Sequence, residues 1–207
     1  MKIIKPYHEI LTQINREEVL KNIEVAGRTC YKSEDKITED SASKFVVMLI
    51  TRGHEAMIEH YNITAKFVCD RGVSHEIVRH RIASYAQEST RYVNYSNGKF
   101  GSEITVIKPM FYEEGTDSYN QWLHSCQTAE SCYLILIDNG SSPQEARSVL
   151  PNSLKTEIVV TMNLREWRHF FKLRTAKAAH PQMREVAIPM LEELKNILPE
   201  VFGDVLY

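Results

Sequence analysis

No apolar run in the 207-residue chain approaches the ~20 residues needed to cross a bilayer. The opening MKIIKPYHEI also has no apolar signal core. Both absences lead to the expectation of a cytoplasmic protein without a membrane partner. The four cysteines, Cys30, Cys69, Cys126 and Cys132, form no CxxC pair, and the last two stand six apart, a poor spacing for ligands of one metal. Reduced thiols fit that pattern. A basic excess is lacking as well: 25 Lys and Arg face 27 Asp and Glu, for a net charge of −2. That balance argues against a dedicated nucleic-acid-binding domain. His54 and His60 are six apart and His75 and His80 five apart, neither of them the i, i+4 spacing of a helical HExxH pair, so no metal site is expected. There is no repeat and no low-complexity tract.

A length of 207 residues, apolar content of 43% and charged content of 25% suit one soluble globular domain with a sizeable core. Residues 2–14 read as one loose strand with an edge position at Pro6. Val19, Leu20, Ile23 and Ala26 give a helix over 16–28, followed by a polar linker over 33–39. Ala42, Phe45, Val46 and Leu49 give a second helix, capped by Thr38 or Asp40 and stopped at Gly53. Residues 62–70 read as a strand with Ile63, Ala65, Phe67 and Cys69 on one side, and a helix bearing Arg79 follows directly. Residues 94–101 are turn-rich and 104–108 form a short strand. A long helix over 117–137 ends at Asn139–Pro143, and a short helix over 143–150 stops at Pro151. Residues 154–162 form a strand, Asn163 with Glu166 resembles a capping box for a helix to about Ala176, and a closing helix over 182–201 kinks at Pro189.

Against this background the segment SHEIVRHRIASYAQESTRYVNY stands out. Arg79, His80, Arg81 and Arg91 fall within thirteen residues, interleaved with Ser84, Gln87, Ser89 and Thr90. Arginines so close repel one another unless solvent or an anion separates them, and guanidinium forks with hydroxyls suit phosphate oxygens. The bland alternative is a solvated basic helix face. At about 100° per residue, however, three successive side chains point in three directions, so some must face protein or ligand. No Gly or Pro follows until Gly98, which reads as a helix end feeding an ordered ligand loop. Arg147 either pairs with Glu145 or meets a ligand. Arg174 falls in the apolar arc of Leu164, Trp167, Phe170 and Phe171, where it either snorkels or meets a buried acceptor. Arg165 and His169 form a second polar face, solvated or ligand-holding.

The spacing RHRxxSxxxxSxRY, met at Arg79, His80, Arg81, Ser84, Ser89, Arg91 and Tyr92, resembles the motif of the flavin-dependent thymidylate synthases. EARxVLP around Arg147, Asn163-x-Arg165…His169, Leu173-Arg174 and the AHPxMR element at 179–184 are similar to that family's other segments. Ala56, Glu76, Ala86 and Gln87 depart from its commoner residues. The resemblance implies one α/β domain over residues 1–207 with a central β-sheet flanked by helices, a thymidylate synthase-complementing-like fold, assembled as a homotetramer with shared active sites. It implies that NADPH reduces FAD, and that 5,10-methylenetetrahydrofolate donates carbon to dUMP, giving dTMP. Carried over by position, dUMP falls to Glu76, Arg79, Gln87, Ser89, Thr90, Arg91, Arg147 and Arg174, with Arg174 catalytic. FAD falls to Glu59, Arg79, His80, Arg81, Gln87, Asn163, Arg165 and His169. Two rival classes are a histidine phosphatase, using His80 as phosphoryl acceptor, and a nucleic-acid-binding module using the arginines and tyrosines.

No cysteine lies in the Arg79–Arg91 stretch or on the Arg174 helix, so none is expected to be an obligatory nucleophile. A variant with all four changed to Ser or Ala should still convert dUMP to dTMP. Complete loss from a single replacement, with flavin and dUMP binding intact, would contradict this.

Overall fold

The structure, a computed structural model, describes residues 1–96 and 102–207. Pro6 divides the expected first strand into β1 (Lys2–Ile4) and β2 (Tyr7–Ile10), because proline has no N–H to give a ladder. Helix α1 (Arg16–Tyr31) is capped by the Asn15 side chain, which accepts the Glu18 N–H at 3.3 Å. It runs three residues beyond the expected end, until Lys32 turns left-handed at φ 49°. In α2 (Ser41–Thr51), Ala42, Phe45, Val46 and Leu49 are buried as their spacing requires. Asp40 stands at its N-cap without a side-chain bond, and Gly53 ends it at φ 71°, a conformation that favours glycine. A 3₁₀ turn over 55–60 leads into β3 (Asn62–Asp70), where Ile63, Ala65, Phe67 and Cys69 are fully buried.

The Asp70 carboxylate accepts the Val73 N–H at 2.9 Å and so opens α3 (Arg71–Ile77). That helix stops short of Arg79, contrary to the expectation. The following segment is not the expected loop but a strand, β4 (Ala83–Gln87). Its half-buried and exposed residues alternate with the period of two that a strand imposes. The turn-rich stretch expected over 94–101 lies partly outside the described residues. Next come β5 (Thr105–Ile107), α4 (Asp117–Asp138) and α5 (Pro143–Ala146). The helix expected to reach Leu150 gives way to a 3₁₀ turn over 147–149. β6 (Lys155–Asn163) runs straight into α6 (Leu164–Arg174). The closing helix is two pieces, α7 (Pro181–Ile197) and α8 (Pro199–Phe202), because Leu198 precedes a proline and leaves the helical region.

The fold is mixed α/β. β1 pairs in parallel with β5, and the other strands follow the order β2-β3-β6-β4. The chain forms two compact units. The first comprises Met1–Tyr7, Phe67–Arg79 and Ala86–Ile158, the second His8–Lys66, His80–Tyr85 and Val159–Tyr207. The first is cored by Ile104, Val106, Cys126, Tyr133, Ala146 and Leu154. The second contains the aromatic cluster of Trp167, Phe170, Phe171 and Phe202, with ring centroids 5.4 to 5.9 Å apart. Among the described residues no helix is long and apolar enough to cross a membrane.

Within the second unit Gly27 of α1 faces α2, where an added Cβ would meet the Phe45 ring at 2.5 Å and Leu49 at 3.3 Å. The Arg28 guanidinium lies over that ring, 4.2 Å from its centroid, so Phe45 has little room to yield. Gly27→Leu should therefore cost roughly 1–3 kcal/mol by overpacking, read as a lower urea midpoint. An unchanged midpoint would show that the two helices can part freely.

Candidate functional site

The first unit holds most of the expected dUMP residues: Glu76, Arg79, Gln87, Ser89, Thr90, Arg91 and Arg147. The Gln87 amide donates to Ser74 Oγ at 2.9 Å and Thr156 Oγ1 at 3.2 Å. Glu88 is tied down by Lys155 at 3.0 Å and by the Tyr95 hydroxyl at 3.1 Å, and its N–H reaches the Glu157 carbonyl at 2.9 Å. These bonds fix where the chain leaves the strand. Thr90 is buried, and Arg147 Nη1 donates to its Oγ1 at 3.4 Å across 57 residues. Both line a cavity of about 380 Å³ with Arg71, His75, Leu150 and Asn152. Arg147 does not take the bland pairing with Glu145, whose carboxylate accepts the Ser142 N–H at 2.8 Å and hydroxyl at 2.6 Å to cap α5. Ser89 and Glu76 are half-buried, whereas Arg79 and Arg91 are exposed. Arg71 and Asn152 were not evident beforehand. One follows a capping Asp and the other sits in a Pro-Asn turn, where structural duties mask any ligand signal.

The second unit holds Glu59, His80, Arg81, Asn163, Arg165, His169 and also Arg174. Asn163 caps α6 by accepting the Glu166 N–H at 2.8 Å. Only half of the expected capping box forms, because the Glu166 carboxylate turns to His80 instead, Oε1 to Nδ1 at 3.1 Å. Burial of Trp167, Phe170 and Phe171 turns Arg165 and His169 outward. They line a cavity of about 490 Å³ with Glu59, Asn163, Glu166 and Lys172. Arg165 Nη1 lies 2.5 Å from Glu59 Oε1. Arg81 is exposed. Arg174 meets the buried acceptor that its position demanded: its Nε donates to His80 Nε2 at 3.0 Å.

Those two contacts set the state of His80. A guanidinium only donates, so Nε2 must carry the lone pair and Nδ1 the proton, which it gives to Glu166. Burial, then the charges of Arg174 and His169, push the imidazole pKa down to about 4, so the ring is neutral at pH 7. Burial pushes the Glu166 carboxyl upward. The rival phosphatase reading needs an open imidazole nitrogen and finds none on His80. His80, Glu166 and His169 do present ligand atoms within 4.8 Å of one another. A cation there would sit beside the Arg174 guanidinium and displace its bond, which opposes binding. Glu166 escaped the sequence reading because a cap explained it. The available signal was an acid four residues before Phe170, on the apolar side of α6.

This mixed α/β fold has a counterpart among solved structures. The UMP/dUMP methylase PolB from Streptomyces cacaoi, solved with 5-Br dUMP, matches with a TM-score of 0.78 at 24% identity, over 98% of this chain and 96% of that one. Residues 11–200 match the family of the thymidylate synthase complementing protein. The flavin-dependent thymidylate synthase of Geobacter sulfurreducens is 34% identical over 189 residues, covering 88% of this chain and 80% of its own. That of Corynebacterium glutamicum is 33% identical over 93% of this chain and 81% of its own, and that of Pyrococcus furiosus 37% identical over 81% and 68%. The chain belongs to the thymidylate synthase complementing protein family.

The His80 shift predicts a pH dependence. Between its ordinary 6.5 and about 4 the unfolded chain binds a proton that the folded chain refuses, so stability falls as pH drops through that window. Glu166 offsets part of this, since its raised pKa lets the folded chain take up a proton more readily. His80→Asn should flatten the loss between pH 6.5 and 4 by up to roughly 3 kcal/mol, measured by urea unfolding across that range. Equal slopes in the two proteins would contradict a buried neutral His80.

Proposed function

We propose that this chain is a flavin-dependent thymidylate synthase, one catalytic domain over residues 1–207 that methylates dUMP to dTMP. Methylenetetrahydrofolate is the carbon donor, NADPH the reductant and FAD the cofactor. The observation that carries the reading is the 490 Å³ cavity in which Glu59, from the 3₁₀ turn over 55–60, meets Asn163, Arg165 and His169 from the passage of β6 into α6. Its chemistry fits a flavin nucleotide: Arg165 and Lys172 offer charged donors to phosphate or carbonyl oxygens, and Ile82, also on its wall, offers an apolar surface. Arg81, with Arg79, His80 and Gln87, completes the FAD set by family resemblance. FAD, when bound, supplies the reducing electrons.

The chain's own residues do the rest. Thr90 and Arg147 present a hydroxyl and a guanidinium to one cavity, suited to the phosphate of dUMP, and Ser89, Arg91, Arg79, Gln87 and Glu76 join the dUMP set by family resemblance. Arg174 is the catalytic residue. Its fixed cation beside the uracil carbonyl and ring nitrogen favours the deprotonated, electron-rich ring, which attacks a one-carbon electrophile without a protein nucleophile. The burial that raises the Cys69 and Cys126 thiols above their ordinary range agrees with that chemistry. A cytoplasmic homotetramer with shared active sites is part of the same proposal.

The purified protein should show an oxidised-flavin absorbance spectrum, or regain one on adding FAD. Arg174→Ala should slow dUMP methylation by about 10²–10³-fold, as when one preorganised donor is removed, while FAD content is kept. Arg174→Lys should rescue poorly, because an ammonium lacks the planar fork. No flavin binding at micromolar concentration, or Arg174→Ala losing its flavin while still methylating once FAD is restored, would overturn these roles.

A further inference from the structure

Arg174 is held by a chain of two side chains that the family resemblance does not explain. We infer that Glu166 and His80 are positioning residues for Arg174: Glu166 holds His80 as the Nδ1–H tautomer, and the freed Nε2 lone pair aims the guanidinium. The inference rests on the proposed role of Arg174 and deepens it.

Glu166 Oε1 lies 3.1 Å from His80 Nδ1, and Arg174 Nε lies 3.0 Å from His80 Nε2, so both ring nitrogens are engaged by protein. The imidazole cannot be reoriented cheaply. It is buried, Phe170 meets it edge-on at 5.0 Å and His169 lies at 5.5 Å. The Tyr85 hydroxyl donates to the His80 carbonyl, which fixes the backbone as well. Which nitrogen of a histidine carries the proton is set by the bond the other makes. Here Arg174 can only donate, so an Nε2–H tautomer would set two donors against each other and push the guanidinium away. Glu166 prevents this by accepting at Nδ1. Its N–H is anchored in turn by Asn163, so the arrangement extends to the helix cap. A group that must meet a substrate ring in one orientation needs such support, and a misplacement of about 1 Å can cost about 10²-fold in rate.

The test uses the full-length holoenzyme. ¹⁵N-histidine NMR at pH 7, with the His80 signals assigned by their loss in His80→Asn, should show the Nδ1–H tautomer. Glu166→Leu should shift it towards Nε2–H or an exchanging mixture, and Glu166→Gln, which keeps an acceptor oxygen, should retain it. In turnover with dUMP, Glu166→Leu should lower kcat/KM by about 10- to 10²-fold, and Glu166→Gln should recover part of that. In the Arg174→Ala background Glu166→Leu should cost nothing further, since it acts through Arg174. An Nε2–H tautomer in the wild type, or an equal loss in both backgrounds, overturns the inference. If Glu166→Leu does not fold, the wild-type tautomer decides alone. A wild type that never methylates dUMP would sink the functional reading, and the NMR would still decide whether Glu166 holds His80.

Discussion

The passage from β6 into α6 at Asn163 governs the second unit. The Asn163 side chain stops the strand and starts the helix, and the Leu164 N–H is bonded to the Tyr61 carbonyl at 3.0 Å. Trp167, Phe170 and Phe171 are then fully buried, with the indole N–H on the Ile63 carbonyl at 3.0 Å. Each such side chain contributes about 1.5–3 kcal/mol on leaving water, so together they outweigh what the polar face of α6 can gain by turning. Rotation of the helix by one residue would swing every side chain through about 100°. The aromatic side thus decides that Arg165 and His169 face a cavity while Glu166 and Arg174 face His80.

Three arginines on this helix illustrate how exposure sorts charge. Arg168 is 2% exposed and fully engaged, with Glu55 at 3.0 Å, Asp204 at 2.5 and 2.9 Å, and the Val201 carbonyl. Removing a partner from a buried ion pair of this kind costs several kcal/mol, so it is structural. Arg165 has 53% of its side chain exposed, and its pairs with Glu59 and Glu55 lie in water. Exposed pairs are worth about 1 kcal/mol or less, so an incoming anion can replace them at little cost. Arg174 lies between these cases, half-buried, with its Nε bonded to the neutral His80 ring.

Much of this was legible from spacing. The stripes Ala42–Phe45–Val46–Leu49 and Leu164–Trp167–Phe170–Phe171 are apolar at helical period, and Ile63–Ala65–Phe67–Cys69 at the period of a strand, because burial demands it. The segment around Arg79–Arg81 was misplaced onto a helix because it has no Gly or Pro to mark the end of α3. Ala83–Gln87 was misread for a related reason: ASYAQ has no β-branched residue and little apolar weight, and only its neighbours make it a strand.

By itself the sequence determined the residues that carry charge and hydroxyls, the apolar faces that set α2 and α6, and the family through a motif of fixed spacing. The tertiary structure alone decided what those groups do to one another. Glu166 and Arg174 reach His80 from 86 and 94 residues away. A hydrogen bond depends on direction and on which atom holds the proton. Spacing along one chain segment encodes neither for a partner that arrives from another.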